Sequence, residues 1–109
     1  MSKFHFGQIV LINFPFVNTS EVKKRPALIL IDTHDEDVIV SRITSQDAKS
    51  DFDVEITHWQ KAGLLLPSIA RIHKIATIEK KLIERVLGSL DKSDKLKVEK
   101  TIKDLCKFN

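Results

Sequence analysis

Arg25-Pro26-Ala27-Leu28-Ile29-Leu30-Ile31 is an almost unbroken apolar run, preceded by Lys23-Lys24 and followed by Asp32. A short apolar run without alternation reads as a strand buried on both faces. Pro26 is second in the run, at a strand entry, where a missing N–H does least harm. Ala27 to Ile31 is also the longest apolar stretch of the chain, far too short to span a bilayer. A strand covered on both sides needs neighbours, and the flanking sequence supplies them.

Upstream, Gly7 opens Gln8-Ile9-Val10-Leu11-Ile12-Asn13-Phe14, rich in β-branched and aromatic residues, and Pro15 ends it. This predicts a strand, joined to the next by a polar loop over Phe16 to Lys24. Downstream, the polar segment Asp32 to Asp37 leads into a third strand, Val38 to Thr44. A loop over Ser45 to Asp51 precedes a short alternating strand, Phe52 to Ile56. Trp59 to Gly63 reads as a turn or a single helical turn, with Trp59 plugging the core.

Ser68 to Ile75 alternates with period two, with Arg71 and His73 sharing the aspect of Ile69 and Ile75. One buried side and one functional or solvated side is the expectation. A helical turn over Glu79 to Ile83 and a last strand, Arg85 to Leu90, follow. Asp91 is the natural N-cap of a terminal helix, with Asp94 three residues on. Val98, Ile102, Leu105 and Cys106 recur on one stripe of that helix, so Cys106 is expected as a buried core thiol. Short strands joined by short loops and closed by a helix predict a mainly β fold, a small curled sheet or half-open barrel.

With 109 residues and no internal linker or repeat, residues 1–109 read as one domain. Eighteen Lys and Arg against 15 Asp and Glu give a net charge of +3, which permits a nucleic-acid or acidic partner without requiring one. The opening MSKFHFGQ lacks the long apolar region of a signal peptide, so the expected setting is cytoplasmic, without a membrane. A lone cysteine and scattered histidines show no zinc spacing. No Gly-rich phosphate loop, G-x-S-x-G elbow or H-x-E pair occurs, so neither metals nor nucleotide cofactors are supported.

Two places can carry chemistry. Glu21, Lys23, Lys24 and Arg25 precede the central strand. Such cations can clamp phosphate, although charge runs also serve solubility. Arg25 differs in standing where the chain enters a buried strand, which holds its side chain in place. Thr44-Ser45-Gln46 ends the third strand. Hydroxyls and an amide there can donate to phosphate or a base edge, and are equally ordinary turn formers. Of His5, His34, His58 and His73, only His73 lies on the strand of Arg71.

Taken in order, GQIVLINFPF, TSEVKKRPALIL, VIVSRITSQ, GLLLPSIARIHKIATI and LGSL resemble the MazF/PemK family over nearly the whole chain. The resemblance implies an SH3-like β-barrel with short helices, a homodimer, and the toxin of a type II toxin–antitoxin system. It further implies metal-independent, sequence-selective cleavage of single-stranded messenger RNA and inhibition by a cognate antitoxin laid in the RNA groove. It puts the family's catalytic arginine on Arg25 and its catalytic threonine on Thr44. Glu21 matches an acidic residue that helps form the groove, and Arg71 a strand arginine that some PemK-type members use. Lys23, Lys24, Ser45, Gln46 and His73 complete the expected RNA contacts. Two departures stand out: TSEVKK has no glycine, and His73 occupies the position where certain members carry an aspartate. An Arg71–Asp acid–base pair is therefore not expected, which favours Arg25 and Thr44. Alternatives are a CcdB-like toxin that binds DNA gyrase without catalysis, and a silent nucleic-acid-binding module.

Overall fold

A computed structural model describes residues 3–15 and 22–108. Six strands, β1 (Gln8–Pro15), β2 (Val22–Asp32), β3 (Asp37–Thr44), β4 (Asp53–Glu55), β5 (Ile69–Glu79) and β6 (Ile83–Ser89), precede a helix, α1 (Lys92–Leu105). They form one antiparallel sheet in the order β4-β5-β3-β2-β1-β6. The mainly β expectation holds, and the sheet is curled but not closed by strand pairing.

The curl follows from a short connection. β5 and β6 are four strand spacings apart in the sheet order, which in a flat sheet is about 19 Å at about 4.8 Å per spacing. Only a 3-10 turn, Lys80–Leu82, joins them, and at about 2 Å per residue it spans roughly 6 Å. The sheet must therefore roll until the ends of β5 and β6 meet.

Rolling buries both faces of the central strand. Ala27, Leu28, Ile29 and Leu30 are all buried, as the unbroken apolar run requires. Leu28 and Leu30 join Ile9, Ile43 and Ile72 on the face covered by Val98 of α1, with Trp59, Ile102 and Leu105 packed around them. Ala27 and Ile29 join Val10, Ile12, Val38 and Val40 on the other face, where Phe4, Leu82 and Ile83 pack.

Two buried aspartates hold the additions to the sheet. Asp32 accepts hydrogen bonds from the Phe4 and His34 amides at 2.8 Å each and pairs with the Lys80 ammonium at 2.9 Å. The Phe4 amide first, then Lys80 and the His34 amide, hold its carboxyl well below the usual range. Asp94 accepts from the Thr57 and His58 amides and pairs with Lys97 at 2.9 Å, fastening α1 to the segment after β4. The Asp91 carboxylate accepts from the Asp94 amide at 2.8 Å, so the expected N-cap is in place. Gly63, at φ +87°, and Gly88 lie against each other's neighbouring backbone: a side chain on Gly63 would meet the Leu87 carbonyl, and one on Gly88 the Ala62 carbonyl.

Several sequence expectations need correction. β2 begins at Val22, so Lys23 and Lys24 belong to a strand and not to a loop; pairing of Pro15 with Val22 extends the hairpin. β5 continues to Glu79, and its residues Ile72 to Lys74 bulge between the Ser41–Ile75 and Arg42–Arg71 pairs. That bulge shifts the side-chain phase, so Ile75 is half exposed while Ile69, Ala70, Arg71 and Ile72 are buried on both faces. Cys106 is exposed at the helix C-cap: the apolar stripe ends with Leu105. Among the described residues no helix is long and apolar enough to cross a membrane.

Candidate functional site

Antiparallel partners point to the same face of a sheet, so the register itself assembles a surface. One row runs Val10, Ala27, Arg42, Arg71, Asp53 across β1, β2, β3, β5 and β4. Two residues further along the strands, Ile12 faces Arg25, and Thr44 and Glu55 both face Ile69. The β2–β3 ladder pairs Ala27 with Arg42; continuing its register by two residues brings Arg25 opposite Thr44. Two residues from distant sequence segments thus converge on neighbouring strands. Arg42 stands beside them on the same face.

Arg25 and Arg42 are exposed, and among the described residues neither has an acidic partner. Thr44 is half-buried, and its Oγ1 accepts a hydrogen bond from the Gln46 amide at 3.2 Å. That bond occupies a lone pair and leaves the hydroxyl hydrogen free to donate. Alternation along β2 divides the basic run: Lys23 shares the face of Arg25, whereas Lys24 points to the opposite face and pairs with Glu84 at 2.7 Å. Glu21 lies outside the described residues.

The other wall of the site is a polar network centred on Arg71 and Asp53. Arg71, 7% exposed, donates to Asp53 at 2.7 Å, to the Gln46 side-chain oxygen at 3.3 Å and to the Asp47 carbonyl at 3.4 Å. Asp53 also accepts from the Lys49 amide at 2.7 Å and the Ser50 amide at 3.2 Å. Burial opposes ionisation of Asp53, but those amides and the Arg71 guanidinium outweigh it and hold its carboxyl below the ordinary value. This network staples the Ser45–Asp51 loop to the sheet, and with it Gln46 and the end of β3. Ser45 is exposed on that loop. His73 stacks obliquely on Phe52, ring centroids 5.7 Å apart. Its Nδ1 and the Asp53 Oδ1 are buried without a hydrogen-bond partner.

Two residues of this surface escaped the sequence reading. Arg71 does pair with an aspartate, against the expectation, but that aspartate is Asp53 of β4 and not a residue of its own strand. Its signal was present in the alternation of Phe52 to Ile56, but pairing across strands cannot be read from one strand. Arg42 sits within the strand quoted as VIVSRITSQ and escaped because a charge between apolar residues reads as ordinary solvent-facing alternation. Among the described residues no three His, Cys, Asp or Glu side chains gather so as to hold a metal ion.

Residues 5–106 match the model of a family described as the PemK-like, MazF-like toxin of type II toxin–antitoxin systems. No curated protein matches the chain by sequence. Among solved structures, an endoribonuclease from a mycobacterial species is similar at TM-score 0.74 and 18% identity, covering 95% of this chain and 91% of that one. The Mycobacterium tuberculosis toxin MazF-mt6 is similar at TM-score 0.73 and 24% identity, with 89% and 93% covered. A mycobacterial endoribonuclease in complex with its cognate antitoxin is similar at TM-score 0.71 and 17% identity, with 95% and 97% covered.

Proposed function

For a chain that belongs to the PemK-like, MazF-like toxins of type II toxin–antitoxin systems, we propose the activity of a sequence-selective endoribonuclease on single-stranded RNA, with messenger RNA as substrate. The observation that carries this reading is the convergence of Arg25 and Thr44 on one face, the arginine without an acidic partner among the described residues and the threonine with a free donor hydrogen. Solved relatives described as endoribonucleases support the same reading.

RNA brings its own nucleophile, so the protein has to position, move protons and stabilise charge. The ribose 2′-oxygen attacks the adjacent phosphorus while its proton passes to a base. The bond from phosphorus to the 5′-oxygen breaks, and that oxygen takes up a proton. A 2′,3′-cyclic phosphate and a 5′-hydroxyl result, with no metal in the scheme. Arg25 donates to the non-bridging oxygens as charge builds there, and Thr44 donates to the same phosphate and fixes its place. Arginine holds its proton too tightly to act as base; Glu21, His73 or a water fills that role. Lys23, Ser45 and Gln46 line the path of the strand. Arg71, engaged by Asp53, Gln46 and Asp47, positions the loop beside it.

The molecule works as a cytoplasmic homodimer, restrained by a cognate antitoxin whose acidic segment lies over the basic face. A relative solved with its cognate antitoxin supports that partner.

The test is incubation of the purified protein with long, sequence-diverse single-stranded RNA in excess EDTA, with fragment ends mapped. Discrete cuts leaving 5′-hydroxyl ends are expected. Arg25→Ala should lower the rate by about 10²–10³, the usual loss for one donor to a developing oxyanion. Intact RNA with folded wild-type protein would overturn the nuclease, leaving gyrase inhibition or silent binding as the readings to assay.

A further inference from the structure

Resting on the RNA-cleaving reading, we propose that Arg42 binds a second phosphate, taking the phosphodiester next to the one held by Arg25 and Thr44. Three observations lead there. First, Arg42 and Arg71 stand directly opposite each other on β3 and β5, and like charges in that relation destabilise a sheet. Asp53 relieves only Arg71, at 2.7 Å. Arg42 is left exposed and, among the described residues, without a carboxylate.

Second, the register sets Arg42 on the diagonal from Arg25, a separation of about 7–8 Å between backbone positions. Two long cationic side chains so spaced can hold successive phosphodiesters of one strand. Third, the cross-strand neighbour of Arg42 on β2 is Ala27, which is buried and ends in a single methyl group. The β2 residue beside Arg42 thus offers only a methyl group next to its guanidinium stem. A planar guanidinium open to solvent beside a second cation suits the forked recognition of a phosphate.

The experiment measures binding of a mixed-sequence, single-stranded RNA whose 2′-hydroxyls are all methylated, so that no nucleophile remains. Fluorescence anisotropy at several salt concentrations would compare wild type with Arg42→Ala, Arg42→Lys, Arg25→Ala and Lys100→Ala, the last an exposed cation of α1. Losing one phosphate contact on a single strand should lower the slope of log Kd against log salt by about 0.7, which weakens binding about fivefold at 0.1 M. Arg42→Ala should show that loss, Arg42→Lys should recover most of the slope, and Lys100→Ala should show neither. Thermal melts identify any variant that fails to fold, and Arg42→Lys then carries the comparison. Fragment mapping with Arg42→Ala should give slower cleavage at the same sites.

Unchanged slope in Arg42→Ala, with a lowered slope in Arg25→Ala, would overturn the Arg42 assignment and leave the nuclease reading standing. Unchanged slopes in both would overturn the RNA reading itself. Equal loss in Lys100→Ala would reduce the effect to diffuse charge, and altered cleavage sites would make Arg42 a base reader. Either outcome overturns the phosphate assignment.

Discussion

Arg71 and Arg42 face each other across two strands and live in opposite circumstances. Arg71 is 7% exposed and donates to a carboxylate, an amide oxygen and a carbonyl. Arg42 is exposed and, among the described residues, meets no acid. The same contrast separates the two walls of the site, the β4–β5 side being polar with its charges paired and the β2–β3 side cationic and open. A buried guanidinium must be paired because desolvating a lone charge costs too much. An open one can stay unpaired at little cost and keep its donors for a ligand. The difference separates scaffold from contact surface among residues of one chemical type.

The sharpest way to break that contrast is to remove the buried partner. Asp53→Ala leaves the Arg71 charge buried and unmatched, and should lower stability by about 3–5 kcal/mol, measured by urea denaturation. A loss below about 1 kcal/mol would make Arg71 as indifferent to its partner as a surface arginine. On the open wall, Thr44→Val should leave the melting curve in place and slow RNA cleavage about ten- to a hundredfold. A hydrogen bond to a charged group is worth about 1.5–3 kcal/mol. Unaltered cleavage would take Thr44 out of the reaction.

Acid should act on the buried, paired carboxylates. The carboxyls of Asp53 and Asp94 are held below their ordinary value in the folded chain, so the unfolded chain takes up their protons at higher pH. Their contribution is complete above about pH 5 and is lost as pH falls through about 4 and lower, toward the folded-state values. Thermal melts between pH 7 and pH 3 should show this decline, and Asp53→Asn should make it shallower. The smallest effect belongs to Lys24→Ala. Its partner Glu84 and Lys24 itself are both substantially exposed, so the stability change should stay under about 1 kcal/mol. RNA affinity should fall less than in Lys23→Ala, because Lys24 points to the other face.

What could be read from the chain alone depended on whether its cause was local. The apolar run after Arg25, the turn residues and the Asp91 cap are local signals, and β2, the order of the elements and the start of α1 followed from them. Cys106 failed because a periodic stripe does not say where its helix stops being covered. The shared aspect of Ile69 and Ile75 failed because the bulge opposite Ser41 and Arg42 belongs to a strand pair, and no single strand encodes it. At the site, Arg25 and Thr44 stood out as residues at strand ends, but their facing positions came only from register. Asp53 and Arg42 acquire meaning through neighbours on other strands, and the chain gave no sign of which strands those would be.

Asp32 has a bearing on the order of folding. Its two oxygens join the N-terminal segment at Phe4, the β2–β3 turn at His34 and the turn after β5 at Lys80. Those groups are brought together only after the hairpins have paired and the sheet has rolled, so this latch belongs to the late stages of assembly. Being made by one carboxylate and not by a ladder of backbone bonds, it can also release without unzipping any strand. The Phe4 and His34 amides should accordingly exchange with solvent well before those of β2, through openings that leave the central sheet intact.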